Sequence, residues 1–257
     1  MKVLLAVRVS PAFCACILLG QVAVLPVRPQ APHSAVKTLE ISGENAELLG
    51  HLQDYPNLEV LSINCIENLQ SLPDSIGALR NLKELRMDNG NGCSMNPVIP
   101  ESIGNLHSLE KLILYGAQDP RHADKLDRLP KERHRFPKSM SQLKNLTCLD
   151  LGRNGLEEIP DFVKGLPKLR ELDFAWNMNV KTLPPFLTEL KELQTLRLDA
   201  DGLTDLPDFL NQLPKLSRVI LGDNCKITQS QAKRNVLKRR FQHIKLDFRD
   251  EYDCLTN

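Results

Sequence analysis

An α/β solenoid is the fold class that the sequence predicts, and two repeating features of the chain predict it. The first is the six-residue pattern L-x-x-L-x-L or a close variant of it, found at residues 58–63, 82–87, 109–114, 146–151, 169–174, 193–198 and 216–221. The second is an apolar residue followed by proline, which lies between successive copies of the first. Repeats of this length bury their apolar edges only against their neighbours, so they stack. We expect a curved horseshoe with parallel β-strands on its concave face and short helical or irregular turns on its convex side.

The six-residue pattern is expected to form the strand of each repeat, and residues 146–151 show it most clearly. Alternate side chains of a strand point to opposite faces. Leu149 and Leu151 are therefore predicted to point into the interior, while Cys148 and Asp150 point outward on the concave side.

Polar residues follow the strands of the C-terminal half, at the point where the chain must turn. These positions hold Asn154, Asn177, Asp201 and Asn224, whereas the earlier repeats have Ile66, Gly90 and Ala117 there. A buried side-chain amide can hydrogen-bond turn backbone that would otherwise be costly to leave unpaired. The sequence thus predicts a ladder of such bonds that is intact only in the C-terminal half.

The second half of each repeat is expected to begin at its proline, because proline fixes φ and favours the start of a short helical turn. The apolar–proline pairs are Leu72-Pro73, Ile99-Pro100, Phe136-Pro137, Ile159-Pro160, Leu183-Pro184 and Leu206-Pro207. A further apolar residue and a leucine follow each pair and return the chain to the next strand.

This pattern resembles the L-P-x-x-I-x-x-L class of leucine-rich repeat proteins, most plainly in Ile-Gly-Ala-Leu at 76–79 and Ile-Gly-Asn-Leu at 103–106. The resemblance covers about residues 36–227. That class includes exported bacterial proteins and effectors, plant repeat proteins and Ras-pathway scaffolds. It implies a protein-binding solenoid and does not identify the partner.

The sequence divides into three segments. Residues 1–35 are interpreted as a signal peptide or disordered leader, and residues 36–227 as a solenoid of about 8 repeats with an insertion at 118–138. Residues 228–257 are expected to form a C-terminal cap. Within that cap, a helix is predicted over 229–242, with its basic run at 238–240 as a solvated face, and a closing strand after it.

The leader resembles a secretory signal peptide. Lys2 and Arg8 precede the apolar stretch 9–20, and a proline-rich passage follows. Arg8 interrupts the apolar character, and no A-x-A cleavage site is present, so an unstructured leader is the alternative. The apolar stretch is short of the roughly 20 residues that span a bilayer, so no transmembrane segment is expected.

Composition and cysteine spacing narrow the function classes. The formal net charge of +1 gives no basic excess for nucleic acid. Beyond the leader, five cysteines at irregular spacing do not describe a disulfide framework, and one bridge at Cys225 or Cys254 is left open. No zinc spacing, phosphate-binding loop or nucleophile elbow occurs. We expect neither cofactor nor metal, and no enzyme activity.

Side chains that face outward from the strands are the candidate binding site. Aromatic residues and arginine are favoured anchors in protein interfaces. The predicted ligand-binding residues are Glu84, Arg86, Lys111, Tyr115, Asp150, Arg153, Asp173, Trp176, Arg197 and Arg218. The alternative for Trp176 is packing over the edge of the strand layer, and for the arginines it is solvation or pairing across strands.

The insertion at 118–138 is a second candidate. Its charged residues carry a net excess of three positive charges, which suits an acidic protein surface or anionic headgroups. A tolerated surface loop is the alternative interpretation.

Together these features predict a non-enzymatic module that binds a protein ligand through its concave face, in an exported bacterial protein. An intracellular scaffold or regulator of the same fold is the alternative. A remote alternative is an effector with ubiquitin-ligase-type activity, although only about thirty residues follow the last repeat, too few for a catalytic core.

Overall fold

Within the residues that the structure describes, nine parallel strands form one continuous sheet whose order follows the chain from β1 to β9. The structure is a computed structural model that describes residues 33–67, 69–88, 97–117 and 136–248. The strands are β1 (Thr38–Ile41), β2 (Val60–Asn64), β3 (Glu84–Asp88), β4 (Lys111–Tyr115), β5 (Cys148–Asp150), β6 (Glu171–Asp173), β7 (Thr195–Arg197), β8 (Arg218–Ile220) and β9 (Lys245–Asp247). The predicted α/β solenoid is therefore confirmed.

Equivalent leucines stand in register from strand to strand. Leu85 lies opposite Leu112, Leu112 opposite Leu149 and Leu149 opposite Leu172, all fully or almost fully buried. Leu151 is also fully buried. The predicted inward direction of Leu149 and Leu151 is thus confirmed, and the stacked leucines form a core that runs the length of the sheet.

Short 3₁₀ helices form the returning half of the repeats. They span Asp74–Ala78, Glu101–Asn105, Lys138–Gln142, Asp161–Gly165, Pro185–Glu189 and Asp208–Gln212. A longer 3₁₀ segment, Gly43–Asp54, is interrupted by non-helical backbone at Asn45 and His51. The six predicted prolines each cap one of the short helices at its N-terminus, with φ near −70° and extended ψ. Proline favours this backbone conformation, so the predicted role of the apolar–proline pair is confirmed.

The glycine of the Ile-Gly-x-Leu motif brings successive 3₁₀ helices into close contact. A Cβ at Gly77 would lie 2.5 Å from the carbonyl oxygen of Ser102, and one at Gly104 would lie 2.6 Å from that of Ser139. Adjacent repeats can approach this closely only without a side chain at these two positions.

The predicted ladder is present in the C-terminal half. The Asn177 Nδ2 donates to the carbonyl oxygens of Leu151 (3.1 Å) and Phe174 (2.7 Å), and its Oδ1 accepts from the backbone N–H of Asn154 (3.1 Å). Asn154 and Asn224 are bonded in the same way. These amides are buried, so each replaces water at turn backbone that the fold removes from solvent.

Asp201 occupies one step of this ladder and lacks the donor that asparagine supplies. Its Oδ1 accepts from the backbone N–H of Asn177 at 2.9 Å, but its buried Oδ2 has no hydrogen-bond partner. Burial raises the pKa of Asp201 well above its usual range. A protonated carboxyl can donate from that oxygen, so the neutral form is the one that fits the ladder.

Two helices precede the last strand: α1 (Cys225–Thr228) and α2 (Gln231–Arg240). The helix predicted over 229–242 is present as α2. Ser230 caps it by accepting from the Lys233 N–H. Arg240, from the predicted solvated face, instead bonds the carboxylates of Asp205 (2.7 Å) and Asp208 (2.8 Å) of the preceding repeat. One member of the basic run therefore fastens α2 to the solenoid.

Disulfide bonds correct the expectation drawn from the cysteine spacing. Cys65 and Cys225 are both disulfide-bonded, whereas Cys148 is a free thiol. Cys65 follows β2 and Cys225 follows β8, six strand spacings or about 29 Å apart, so they belong to two separate bridges. The sequence left a bridge at Cys225 open and did not predict the one at Cys65.

Two predicted segments lie largely outside the described residues: the leader, of which only 33–35 are described, and the insertion, of which 118–135 are not. No helix in the described ranges is long and apolar enough to cross a membrane.

Asp201→Asn should stabilise the fold, because the amide supplies the missing donor. Because burial raises the pKa of Asp201, its protonated carboxyl contributes to the free energy of unfolding. This contribution is fully present below the unfolded-state pKa of about 3.9 and is lost as the pH rises through the folded-state pKa. The gain should therefore be smallest near pH 4 and reach about 1–3 kcal/mol at pH 8, the penalty for an unsatisfied buried group. Urea unfolding at both pH values measures it. Asp161→Asn, at an exposed convex position, is the control, and an equal gain in both variants would contradict this account.

Candidate functional site

The concave face consists of the side chains that the strands direct away from the leucine core. Two columns run across all nine strands. One contains Thr38, Val60, Glu84, Lys111, Cys148, Glu171, Thr195, Arg218 and Lys245, and the other Glu40, Ser62, Arg86, Ile113, Asp150, Asp173, Arg197, Ile220 and Asp247. Because equivalent positions of successive repeats lie side by side, residues that are far apart in sequence share one surface.

The ten predicted binding residues all belong to this surface or its edge. Eight lie on strands: Glu84, Arg86, Lys111, Tyr115, Asp150, Asp173, Arg197 and Arg218. Arg153 and Trp176 lie just beyond β5 and β6, in the left-handed region with φ of 58° and 66°. Whether any of the ten touches a ligand stays a prediction.

Charged residues at the N-terminal end of the surface pair loosely with each other. Glu84 lies 3.6 Å from Arg86 and 3.7 Å from Lys111. All three side chains are more than a quarter exposed, and such pairs contribute little to stability. These residues can therefore exchange partners at low cost.

The arginines of the C-terminal end are engaged more firmly. Arg197 donates from Nε to Asp199 Oδ2 at 2.5 Å and lies 3.7 Å from Asp173. The Asp199 side chain is only 8% exposed. Because Arg197 neutralises a buried carboxylate, it supports the fold as well as facing the concave side.

A cavity of about 250 Å³ opens at this end. Its lining contains three predicted residues, Trp176, Arg197 and Arg218, and adds Asp199, Ile220, Asp223 and Asp247. Arg218 Nη2 donates to Asp247 Oδ2 at 2.9 Å. Sequence reasoning did not single out Asp223 and Asp247. Their positions within the repeat could have identified them, because Asp223 occupies the same turn position as Trp176, and Asp247 lies in the same column as Arg197.

Two half-buried carboxylates stand side by side in the middle of the surface. Asp150 on β5 lies opposite Asp173 on β6. Asp150 Oδ1 accepts from the N–H of Gly152 at 2.8 Å, and Asp173 Oδ1 accepts from the N–H of Ala175 at 3.0 Å. Burial first, and then the charge of Asp173, raise the pKa of Asp150 to about 7. Burial also raises the pKa of Asp173.

The thiol of Cys148 lies in the neighbouring column. Burial, followed by the charge of Glu171, raises the pKa of Cys148 to about 11. A thiol is a nucleophile only as the thiolate, so at neutral pH this thiol is in its unreactive form. Among the described residues, no group of three histidine, cysteine or acidic side chains could hold a metal ion.

Comparison with known proteins identifies the fold. No family model matches the chain. Over 149 residues it is 28% identical to the disease resistance protein RML1A of Arabidopsis thaliana, a match that covers 58% of this chain and 13% of that protein.

Two solved structures share the architecture. Internalin C2 of Listeria monocytogenes superposes with a TM-score of 0.50 at 23% identity, over 74% of this chain and 70% of that one. The Toll–Spatzle complex of Drosophila gives a TM-score of 0.54 at 18% identity, over 73% of this chain and 23% of that one. The described part of the chain therefore has the fold of leucine-rich repeat proteins. The chain spans only small parts of the plant protein and of the Toll complex chain.

The carboxyl carbon of Asp150 should report the raised pKa. In a ¹³C NMR titration of the protein, we expect the midpoint of this signal at about pH 7. Asp173→Asn should move the midpoint down, because it removes a neighbouring negative charge. A midpoint that is the same in both proteins would show that the two carboxylates do not interact.

Proposed function

We propose that this leucine-rich repeat protein is a non-enzymatic module that binds a protein ligand through its concave face, and that it works after export from the cell. The observation that carries the binding proposal is the cavity on the open face of the sheet, with Trp176 on its wall and Arg197 and Arg218 beside it. Tryptophan and arginine in a concave setting are the residues in which interface energy concentrates.

The shape of the surface supports a protein ligand. The two outward columns extend across nine strands, about 40 Å at the usual strand spacing. A surface of this length exceeds a small-molecule pocket and matches a protein interface. Toll, which shares the fold, was solved in complex with Spatzle.

Disulfide bonding supports export. Cys65 and Cys225 each take part in a disulfide. Disulfides persist in oxidising compartments and are rare in the cytosol. The signal-like leader, with Lys2 and Arg8 before an apolar stretch, agrees with that location. An intracellular scaffold of the same fold is the alternative, and it would require these cysteines to be reduced in the native protein.

Loss of the aromatic side chains should abolish ligand capture. We expect the double variant Tyr115→Ala/Trp176→Ala to lose at least about 30-fold in affinity, which corresponds to the roughly 2 kcal/mol of one interface hot spot. Arg197 is unsuitable for this test, because its removal would leave the buried Asp199 unpaired. Affinity capture from surface and medium fractions, followed by quantitative mass spectrometry of the captured protein, measures the effect.

Val236→Ala is the matched control, since Val236 is an exposed apolar residue on α2, away from the concave face. It should capture the same protein as the wild type, and circular dichroism should show that all three proteins are folded. Capture of the same protein by the double variant at wild-type affinity would rule out the concave face as the binding surface.

Alkylation of the native protein tests the compartment. Protein isolated from its own cells, denatured without reductant and treated with iodoacetamide, should be modified at Cys148 and unmodified at Cys65 and Cys225. The same sample should come from outside the cytosol, with an intact mass that lacks about 20–35 N-terminal residues. A full-length cytosolic protein with Cys65 and Cys225 alkylated would instead establish the intracellular scaffold.

A further inference from the structure

The C-terminal cap concentrates positive charge that the rest of the chain lacks. Residues 225–248 contain seven lysine or arginine residues and a single acidic residue, Asp247, which gives this segment a net charge of +6. Because the formal net charge of the whole chain is +1, the remaining residues carry a net charge of −5. Helix α2 alone holds five of the seven cations and no acidic residue. The cap therefore differs in charge from the solenoid that it closes.

Helix stability does not explain the cations at the start of α2. Cations near the C-terminus of a helix interact favourably with its dipole, which accounts for residues 238–240 in the last turn. Lys233 and Arg234 lie near the N-terminus, where a cation is unfavourable. Lys233 occupies the third helical position, at which a capping box that begins with a serine such as Ser230 has glutamate or glutamine. We therefore expect these two cations to have a role outside the helix.

Positive charge on the cap is exposed and largely unpaired. Four exposed cations form no ion pair with any residue that the structure describes: Lys226, Lys233, Lys238 and Arg239. Several lysines of the solenoid instead reach a glutamate of the preceding repeat, as Lys83 does Glu59 at 2.8 Å and Lys215 does Glu192 at 2.7 Å. The charge of the four cations is thus left to solvent or to a ligand.

Helix α2 presents its cations from a fixed position. Leu237 and Phe241 are buried on its inner side. On the convex side of the molecule, Arg240 bonds the carboxylates of Asp205 (2.7 Å) and Asp208 (2.8 Å) in the preceding repeat. The outward side of α2 therefore points away from the solenoid, and the concave face stays open for a protein ligand.

An exposed apolar side chain lies among the cations of α2. Val236 is 44% exposed. At 3.6 residues per turn, it shares the outward side of α2 with Ala232 and Arg239, and Lys233 and Lys238 lie on either side of them. Such a mixture suits the interface of a bilayer, where apolar side chains lie just below charged headgroups. A soluble polyanion offers the valine no apolar contact.

We propose that this cap surface, consisting of Lys226, Lys233, Val236, Lys238 and Arg239, binds the surface of a bilayer that contains anionic phospholipids. The four cations lie among the phosphate groups, and Val236 reaches the boundary between headgroups and acyl chains. The proposal goes beyond ligand binding by the concave face and does not depend on it.

Nucleic acid fits the cap surface less well. Proteins that bind single strands combine a basic groove with aromatic rings on which the bases stack, and α2 has no aromatic residue. The nearby Phe248 is half-buried, and the cations of Arg234 and Lys238 lie 5.9 and 5.8 Å from the centre of its ring. These cations already occupy the place where a base would stack.

The test measures binding of the full chain to sedimented vesicles. One set contains phosphatidylcholine alone, and the other contains one part of phosphatidylglycerol to two parts of phosphatidylcholine. We expect binding to the anionic vesicles only, because phosphatidylcholine has no net charge. Raising the salt concentration from about 0.1 M to about 1 M, which shortens the Debye length from about 10 Å to about 3 Å, should abolish it.

Two sets of substitutions test the cap surface itself. Lys233→Gln/Lys238→Gln/Arg239→Gln should weaken binding to anionic vesicles about 100-fold, since each cation near such a surface contributes roughly fivefold. Val236→Gln should weaken it about threefold through lost apolar contact. The valine substitution should leave binding to dextran sulfate, a soluble polyanion, unchanged. Circular dichroism checks that each variant is folded.

A matched control removes the same charge elsewhere. Lys83→Gln/Lys164→Gln/Lys215→Gln neutralises three lysines of the solenoid, each about half exposed and in a surface ion pair that contributes little to stability. This variant should bind anionic vesicles as the wild type does. An equal loss in both triple variants would show that net charge and not the cap surface determines binding, and would overturn the proposal.

Other outcomes would identify a different occupant of the cap surface. Binding to dextran sulfate without binding to anionic vesicles would favour a soluble polyanion such as nucleic acid and overturn the proposal. Asp250, Glu251 and Asp253 lie outside the described residues. If vesicle binding appeared only after their conversion to amides, the acidic residues of the chain itself would be the occupant. Absence of vesicle binding in every variant would also overturn the proposal, and ligand capture by the concave face would be unaffected.

Discussion

Backbone groups at the ends of the strands must be hydrogen-bonded inside the protein, and the rest of the solenoid depends on how this is done. In the C-terminal half, Asn154, Asn177 and Asn224 each bond the turn of their own repeat and the strand of the one before. One buried side chain thus fixes both a turn and the spacing to its neighbour. Where the ladder is missing, the strands are longer: β2, β3 and β4 have five residues, whereas β5 to β8 have three. Backbone hydrogen bonds between neighbouring repeats nevertheless continue beyond the ends of β5 to β8, as from the Leu151 N–H to the Asp173 carbonyl oxygen at 2.9 Å.

The tight turn after each C-terminal strand also shapes the concave face. Arg153, Trp176, Ala200 and Asp223 all have positive φ at equivalent positions. A non-glycine residue adopts this conformation only where its surroundings impose it. The consequence for Trp176 is a fixed backbone beneath a side chain that lines the cavity. A rigidly placed indole loses less conformational entropy when it binds a partner, so the same turns that build the solenoid also prepare its binding surface.

The sequence alone predicts the parts of this structure that follow from periodicity. The leucines of each strand, the prolines before the 3₁₀ helices and the ladder amides recur at fixed offsets, so one repeat explains the others. Properties that depend on contacts between particular repeats could not be obtained in this way. The pKa of Asp150 is raised first by burial and then by the charges of Asp173 and Asp88, which lie 23 and 62 positions away in the chain.

Carboxylates on the concave face are neutralised in two different ways, one at its C-terminal end and the other in its centre. Toward the C-terminus, Asp199 and Asp247 bond arginines of the chain itself. In the centre, Asp150 accepts a hydrogen bond from the Gly152 N–H. Because its pKa is raised to about 7, a bound proton neutralises this carboxyl below neutral pH. Loss of this proton changes the charge of Asp150 near neutral pH, whereas displacing Arg197 would leave the buried carboxylate of Asp199 without its partner. The charge at the centre of the face therefore changes near neutral pH, whereas the C-terminal end keeps its ion pairs there.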